Sequence, residues 1–504
     1  MLQEISIGLV GLVVFIYGVD FAINHLDDPR EPPRVASNVP LIGHLLGLTK
    51  CGTSYYSETS KKTNAEIYTV SILNQKIYVS NSQRLMPLIQ RAKTLSFRPF
   101  IQKASRIFGD ATDETHALFG GDLVDNFSIG MRDALAPGPG LDDQNLRMAQ
   151  RAVVDVEELR RDGGEVNLMA WCKKTVVQAT SCGVFGEKHP FLDPEVEAAF
   201  WKWETYKAAH IAGIDFLGRG YAARQKVFDA FHLYFKDLPA DASQIIRERQ
   251  RILREGGVNF EDRVKQDATF CTAAFPNTVP TLFWTLVELL SRPEILAEIR
   301  DEVLDNAVRT LEKQEGGPGR VLNVAALKTK CPLLLSVYQE TQRTRHIHAN
   351  IRLVTEDTVL DGHLLRKGAY VQMPGEPIHK STSVWGPDAP IFDPYRFVAK
   401  GQKQQKAAPS SGFLSWGAPP HLCPARQFAS TEILVIVALL VLSVDLVPAA
   451  GGELKVPGTS TAEIATLAGP ADEVRLTVVP VGGESGKWVL EMGDSKTRVS
   501  LASG

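Results

Sequence analysis

Cysteine is scarce and unpatterned in this chain. The six, at positions 51, 172, 182, 271, 331 and 423, show neither the paired spacing of a disulfide framework nor that of a zinc site. They fit a reducing compartment, with five ordinary thiols and one ligand. Charge of either sign is not in excess: 55 Lys and Arg face 58 Asp and Glu, a net charge of −3. That removes any global case for nucleic-acid binding. No glycine fingerprint follows a strand, so the chain carries no flavin or nicotinamide site of its own. No internal repeat stands out. No linker splits the 504 residues after position 50, so one large core is expected where the length alone would suggest several domains.

The most informative stretch is Trp416-Gly417-Ala418-Pro419-Pro420-His421-Leu422-Cys423-Pro424-Ala425-Arg426-Gln427-Phe428-Ala429, followed by the apolar run Ile433 to Val444. A turn-rich loop presents one cysteine, and an apolar helix carries the chain away. A haem iron with a thiolate axial ligand needs this arrangement: a rigid loop, a buried sulfur and backbone N–H groups near it. On the loop alone, a buried structural cysteine at a helix start fits as well. Upstream, Glu340 and Arg343 lie three apart, on one helix face, where they can pair. Taken singly that is an ordinary salt bridge. Phe392-Asp393-Pro394-Tyr395-Arg396-Phe397 then places Arg396 upstream of the cysteine.

In this order, the three motifs resemble the cytochrome P450 superfamily, over essentially the whole chain. The resemblance implies a mainly α fold with a minor β portion, and haem b with Cys423 as axial ligand. It also implies a buried triad of Glu340, Arg343 and Arg396 that holds the cysteine loop. His379, six residues before Trp385, occupies a position where the family often has a haem-facing histidine; a surface histidine is the plain alternative.

Ala273 to Trp284, ending at Arg292-Pro293-Glu294, aligns with the family helix that crosses the oxygen-binding face. Most members place a carboxylate and a threonine side by side there to deliver protons. Here the two positions are Pro276 and Asn277. A prolyl residue cannot relay a proton, whereas Asn277 can hydrogen-bond to an oxygen or a water. Thr278 is next, about 100° further round a helix. Pro276 and Pro280 free the carbonyls of Thr272 and Pro276, and a helix that merely ends or kinks there is the competing reading. The pattern Asn277-Thr278-x-Pro280-x-x-Phe283-Trp284, with Asn350-Ile351-Arg352 and Cys423-Pro424-x-Arg426-x-Phe428-Ala429, resembles the branch of cholesterol 7α-hydroxylase, sterol 12α-hydroxylase and prostacyclin synthase. Arg352 would then bind a haem propionate. Ala134-Leu135-Ala136-Pro137-Gly138-Pro139-Gly140-Leu141 is similar to fungal members of that branch. The chain departs from the family loop at Pro419 and Ala425, where glycines are usual, at Trp416 for phenylalanine, and at Pro424, which removes one possible N–H donor near the sulfur. No partner for the second propionate is evident between residues 110 and 140.

Ile5 to Ile23 is apolar except for Asp20, about the ~20 residues that span a bilayer. A cleaved signal peptide is the rival reading, but no basic segment precedes it and no small-x-small site follows. Arg30 and Arg34 come next, which places the body in the cytosol. The expected organisation is a membrane anchor at 1–26, a proline-rich hinge at 27–50 and the catalytic domain at 51–504. Helices are expected at 141–160, 168–181, 194–210, 221–235, 241–254, 284–304 and 329–346. Strands are expected within 66–79 around Asn74-Gln75 and within 353–373, with terminal β-structure over 449–504. Lys400, Lys403 and Lys406 are expected to be solvated and to help dock an acidic reductase.

The function implied is that of a monooxygenase of the endoplasmic reticulum membrane, single-pass and facing the cytosol. It would take electrons from NADPH through a separate cytochrome P450 reductase, with no nucleic-acid partner. The substrate would be an apolar small molecule such as a sterol, terpenoid or other secondary metabolite. The missing acid keeps a second reading open: a non-redox isomerase or dehydratase acting on a peroxide.

Overall fold

The computed structural model describes residues 11, 14–22, 27–72, 75–314, 317–345, 349–398, 412–418, 421–460, 467–481 and 487–503. Ten helices carry the argument: α1 (Pro139–Asp162), α2 (Leu168–Phe185), α3 (Pro194–Thr205), α4 (Arg219–Lys236), α5 (Gln244–Glu255), α6 (Phe260–Ala274), α7 (Thr278–Leu290), α8 (Pro293–Ala307), α9 (Pro332–Arg345) and α10 (Arg426–Ser443). Their patterning assigns their places. In α1, Met148, Ala152, Val156 and Leu159 recur at helical spacing and are buried, as one face of an amphipathic helix requires. Helix α10 is apolar all round and is the hub of the core, packed against α1, α7 and α8. Among the described residues it is the one helix long and apolar enough to cross a membrane, and 83% of it is buried inside the protein.

Five strands form a mixed sheet beside this helical body: β1 (Ile67–Ile72), β2 (Gln75–Ser80), β3 (Leu95–Ser96), β4 (Ala349–Val354) and β5 (Tyr370–Pro374). Their order is β1-β2-β5-β4-β3. The β2–β5 pair is parallel, with Ile77 opposite Tyr370. The β5–β4 pair is antiparallel, with Val371 opposite Arg352. A second sheet joins Gly164–Asn167, Arg475–Pro480 and Val444–Pro448.

Three expected elements divide. The helix expected at 194–210 ends at Thr205, and a short one restarts over Lys207–Ala212. The turn brings His210 flat against Tyr221, ring centroids 4.2 Å apart, and within 3.3 Å of the Asp215 carboxylate. The helix expected at 284–304 becomes α7 and α8, because Pro293 has no N–H with which to continue the ladder and instead opens α8. The strand pair expected in 353–373 is four short strands, since Asp361 and Gly362 both take positive φ, 49° and 84°, and close a separate hairpin of Thr358–Leu360 with His363–Leu365. Of the expected anchor, residue 11 and residues 14–22 are described, as helix, with Val14, Phe15, Tyr17 and Phe21 exposed. The Asp20 carboxylate accepts from the Leu41 N–H at 3.1 Å, so that charge faces the protein body. Lys400, Lys403 and Lys406 lie outside the described residues, as do Pro419 and Pro420.

Candidate active site

The triad expected from the sequence is assembled on α9. Glu340 and Arg343 are fully buried, one turn apart. Glu340 accepts from Arg343 Nε at 2.7 Å and Nη2 at 2.6 Å, from Arg396 Nε at 3.0 Å and from the Asp393 N–H at 3.0 Å. Charges so deep are tolerable only when every donor is spent. Arg343 completes its fork on the carbonyls of His379 at 2.6 Å, Ala389 at 2.7 Å and Ile391 at 3.2 Å. Arg396 reaches the Asp388 carboxylate at 3.2 Å. The network locks the 379–396 meander onto α9.

His379 transmits that order to the cysteine loop. Its ring is buried, and Nε2 accepts from the Leu414 N–H at 2.9 Å. The histidine thus holds the start of the loop through that nitrogen. The loop is a tight hairpin, with Gly417 opposite Leu422 and Ala418 opposite His421. Gly417 has φ 87°, and a Cβ there would meet the His421 carbonyl at 2.6 Å; only glycine fits. The Cys423 N–H donates to the Trp416 carbonyl at 2.8 Å, fixing the cysteine at the hairpin's mouth. Burial pushes the Cys423 thiol up, and the backbone N–H groups of Ala425 and Arg426 pull it back. So although Pro424 supplies no donor, two neighbours do. Behind the loop, Tyr338 on α9 lies 3.0 Å from Ser430 on α10 and accepts from Gln342 at 3.1 Å.

Arg352, on β4, is buried among neutral partners. The residue is 4% exposed. Its guanidinium donates to Gln90 at 2.8 Å and to the Ile351 carbonyl at 2.7 Å, and lies over the Phe97 ring at 5.6 Å. No carboxylate pairs with it among the described residues, and burial pulls its pKa down to about 10. A buried guanidinium with neutral partners is costly unless an anion joins it. His421 is close enough that burial and the Arg352 charge together hold its ring below the usual imidazole range. A thiol with backbone donors on one side and an anion-seeking arginine beside the same loop fit a flat metal macrocycle carrying acid side chains. Among the described residues no group of three or more His, Cys, Asp or Glu side chains could hold a bare metal ion.

Asn277 and Thr278 stand at a break. Helix α6 ends at Ala274 and α7 begins at Thr278, with Pro276 in the turn between. The Thr278 hydroxyl donates to the Ala274 carbonyl at 2.9 Å and that of Thr281 to the Asn277 carbonyl at 2.6 Å. These hydroxyls bind carbonyls at the break, and the Asn277 carbonyl also accepts from the Thr281 N–H at 3.3 Å. The Thr272 carbonyl, which Pro276 frees, accepts from Lys207 Nζ at 3.3 Å. Asn277 Oδ1 accepts from the Leu467 N–H at 3.2 Å. Gln90, Phe97, Leu414 and Leu467 escaped the sequence reading, because each meets its partner only through tertiary pairing. His421 sat inside the quoted loop, and its chemistry beside Arg352 was the available signal.

Comparison with known proteins follows the same lines. The family model described as cytochrome P450 matches residues 202–470. A cytochrome P450 monooxygenase of Hypoxylon pulicicidum, nodJ, is 32% identical over 463 residues, covering 90% of this chain and 90% of that one. A cytochrome P450 monooxygenase of Gibberella zeae is 27% identical, with 92% and 91% covered. Mouse cytochrome P450 7B1 is 24% identical, with 83% and 85% covered.

Proposed function

The chain belongs to the cytochrome P450 family and is a haem monooxygenase, and from that premise we propose that it is a membrane-anchored enzyme that oxidises an apolar secondary metabolite of sterol or terpenoid type. The observation that carries the site reading is the uncompensated Arg352 beside the Cys423 hairpin. Arg352, with His421 adjacent, would hold the acid side chains of haem b, and Cys423 would offer its thiolate to the iron. Bound haem supplies the iron at which dioxygen is activated. The chain's own contribution is to hold that thiolate in a hydrogen-bonded hairpin, to lock the hairpin through His379, Arg343, Glu340 and Arg396, and to place Asn277 at the helix break. Its amide oxygen is spent on Leu467, so Asn277 presents N–H donors, and these would orient a water or oxygen that passes protons. Thr278 stands behind it, its hydroxyl bound to Ala274. Residues 1–26 would anchor the protein in the endoplasmic reticulum membrane and 27–50 would lead, as a stiff hinge, to the catalytic domain at 51–504 in the cytosol. NADPH would act through a separate reductase.

The test is isotopic. With NADPH, a cytochrome P450 reductase and labelled dioxygen, the product should carry one labelled oxygen. Rapid conversion of an added endoperoxide without NADPH, and no reductase-dependent product, would overturn monooxygenation in favour of the isomerase reading.

A further inference from the structure

Helix α9 grips the cysteine loop from two of its faces. On one, Arg343 reaches the start of the loop through His379 and Leu414. Tyr338 stands five residues earlier, about 140° round the helix, and meets the far end. Its hydroxyl lies 3.0 Å from Ser430 Oγ on α10. Gln342, one turn on and on the same face, donates to that hydroxyl at 3.1 Å. Gln342 thus fills one side of the phenol oxygen, and the phenol proton goes to Ser430. Tyr338, Gln342 and Ser430 are all fully buried, so none of them can exchange the contact for water.

Ser430 stands one turn behind Arg426 on α10. Arg426 and Ala425 supply the two backbone N–H groups that bind the Cys423 sulfur. The first turn of α10 is tied from another side as well: Gln427 donates to the Val499 carbonyl at 3.1 Å and accepts from the Val499 N–H at 2.8 Å. Burial pushes the Tyr338 phenol far above its usual range, and the Cys423 charge pushes it further. The phenol and the sulfur are therefore within electrostatic reach of each other.

We propose that Tyr338 is a positioning residue for the thiolate: through Ser430 it fixes the first turn of α10, holds the Ala425 and Arg426 N–H groups on the sulfur, and so sets the reduction potential of the bound iron. This rests on the haem-thiolate reading above. Hydrogen bonds to the sulfur draw electron density from it and raise the potential. Pro424 offers no donor, so the thiolate depends on the two N–H groups that Tyr338 steadies.

The experiment is a spectroelectrochemical titration of the full-length, haem-loaded protein. Tyr338→Phe keeps the ring and removes the hydroxyl. Ser430→Ala removes the other partner. Each should favour ferric over ferrous iron by about three- to tenfold, the range of one lost hydrogen bond, which is a fall of about 30–60 mV for a one-electron couple. Both act at one contact, so the double variant should fall no further than the larger single. Gln339→Leu is the structural control. It breaks the bond that α9 accepts from the Ala502 N–H at 2.6 Å, and should lower the melting temperature with the potential unmoved. An unchanged or raised potential in Tyr338→Phe or Ser430→Ala, or an equal fall in Gln339→Leu, would overturn the proposal. If Tyr338→Phe does not incorporate haem, Ser430→Ala decides alone. Absence of a thiolate-type carbon-monoxide band in the unmodified protein would sink the haem reading instead, a separate result.

Discussion

Arg343 donates to the His379 carbonyl at 2.6 Å, while the His379 ring accepts from Leu414 at 2.9 Å. One arginine therefore governs the loop of Cys423 at second hand. The Glu340–Arg343 pair is less a source of stability than a fixed point from which the thiolate's position is measured.

Glu340→Gln is accordingly expected to be severe. It leaves Arg343 and Arg396 buried without their shared carboxylate. Breaking such a pair costs about 3–5 kcal/mol. Thermal unfolding should show a large loss of stability, and recovered protein should hold little haem. A variant with unchanged melting temperature and full haem content would show that the network does not support the loop.

Arg352→Met should separate stability from cofactor affinity. Removing an unpaired buried charge relieves a desolvation cost, so the haem-free protein should be at least as stable as the parent. Haem affinity should fall by about tenfold or more, since a charge-assisted bond is worth about 1.5–3 kcal/mol. Titrating haem into the apoprotein measures the second quantity and calorimetry the first. Marked destabilisation of the apoprotein would mean that the Gln90 contact, rather than an absent anion, is what Arg352 serves.

Glu432, on α10, gives a pH signature. Burial raises its pKa to about 8, opposed by the Thr180 hydroxyl, which donates to it at 2.6 Å. The folded state thus binds this proton more tightly than the unfolded state, so its contribution to stability falls as pH rises from about 4.5 to about 8. Glu432→Gln should flatten that part of the stability–pH curve and raise stability most at alkaline pH. Chemical denaturation at pH 5, 7 and 9 reads it. An unchanged slope would place the titration elsewhere.

Deletion of residues 1–26 should release much of the protein from membranes while haem incorporation persists. Fractionation with a carbon-monoxide spectrum on each fraction decides it. Loss of the haem band on deletion would make the segment part of the core.

Sequence and structure part company where contacts span the chain. Glu340 and Arg343 were legible because a helix puts residues three apart on one face, and the break at Pro276 because proline cannot donate. Gln90 was not: its partner Arg352 is 262 residues away, and nothing local in either residue marks the other. His379 was singled out for its place beside the haem motif, and its ring accepts from the Leu414 N–H, a contact that nothing local announces. A position near the haem motif reads the same whether its ring meets a cofactor or, as here, takes the Leu414 amide. The division of 194–210 escaped because the contact that accompanies it, His210 stacked on Tyr221, lies across a turn that periodicity does not register.

The sheet order has a consequence for how the protein is made. The side chain of Gln75, the first residue of β2, donates to the Gly368 carbonyl, 293 residues later, and β2 pairs in parallel with β5. On the ribosome the β1–β2 hairpin must wait for those residues, on the order of half a minute at ordinary elongation rates, with one edge open to strangers. Arg352 and Gln90 meet only when that edge closes. If Arg352 holds haem as proposed, cofactor capture is a late event in the life of each new chain, and haem supply must outlast translation.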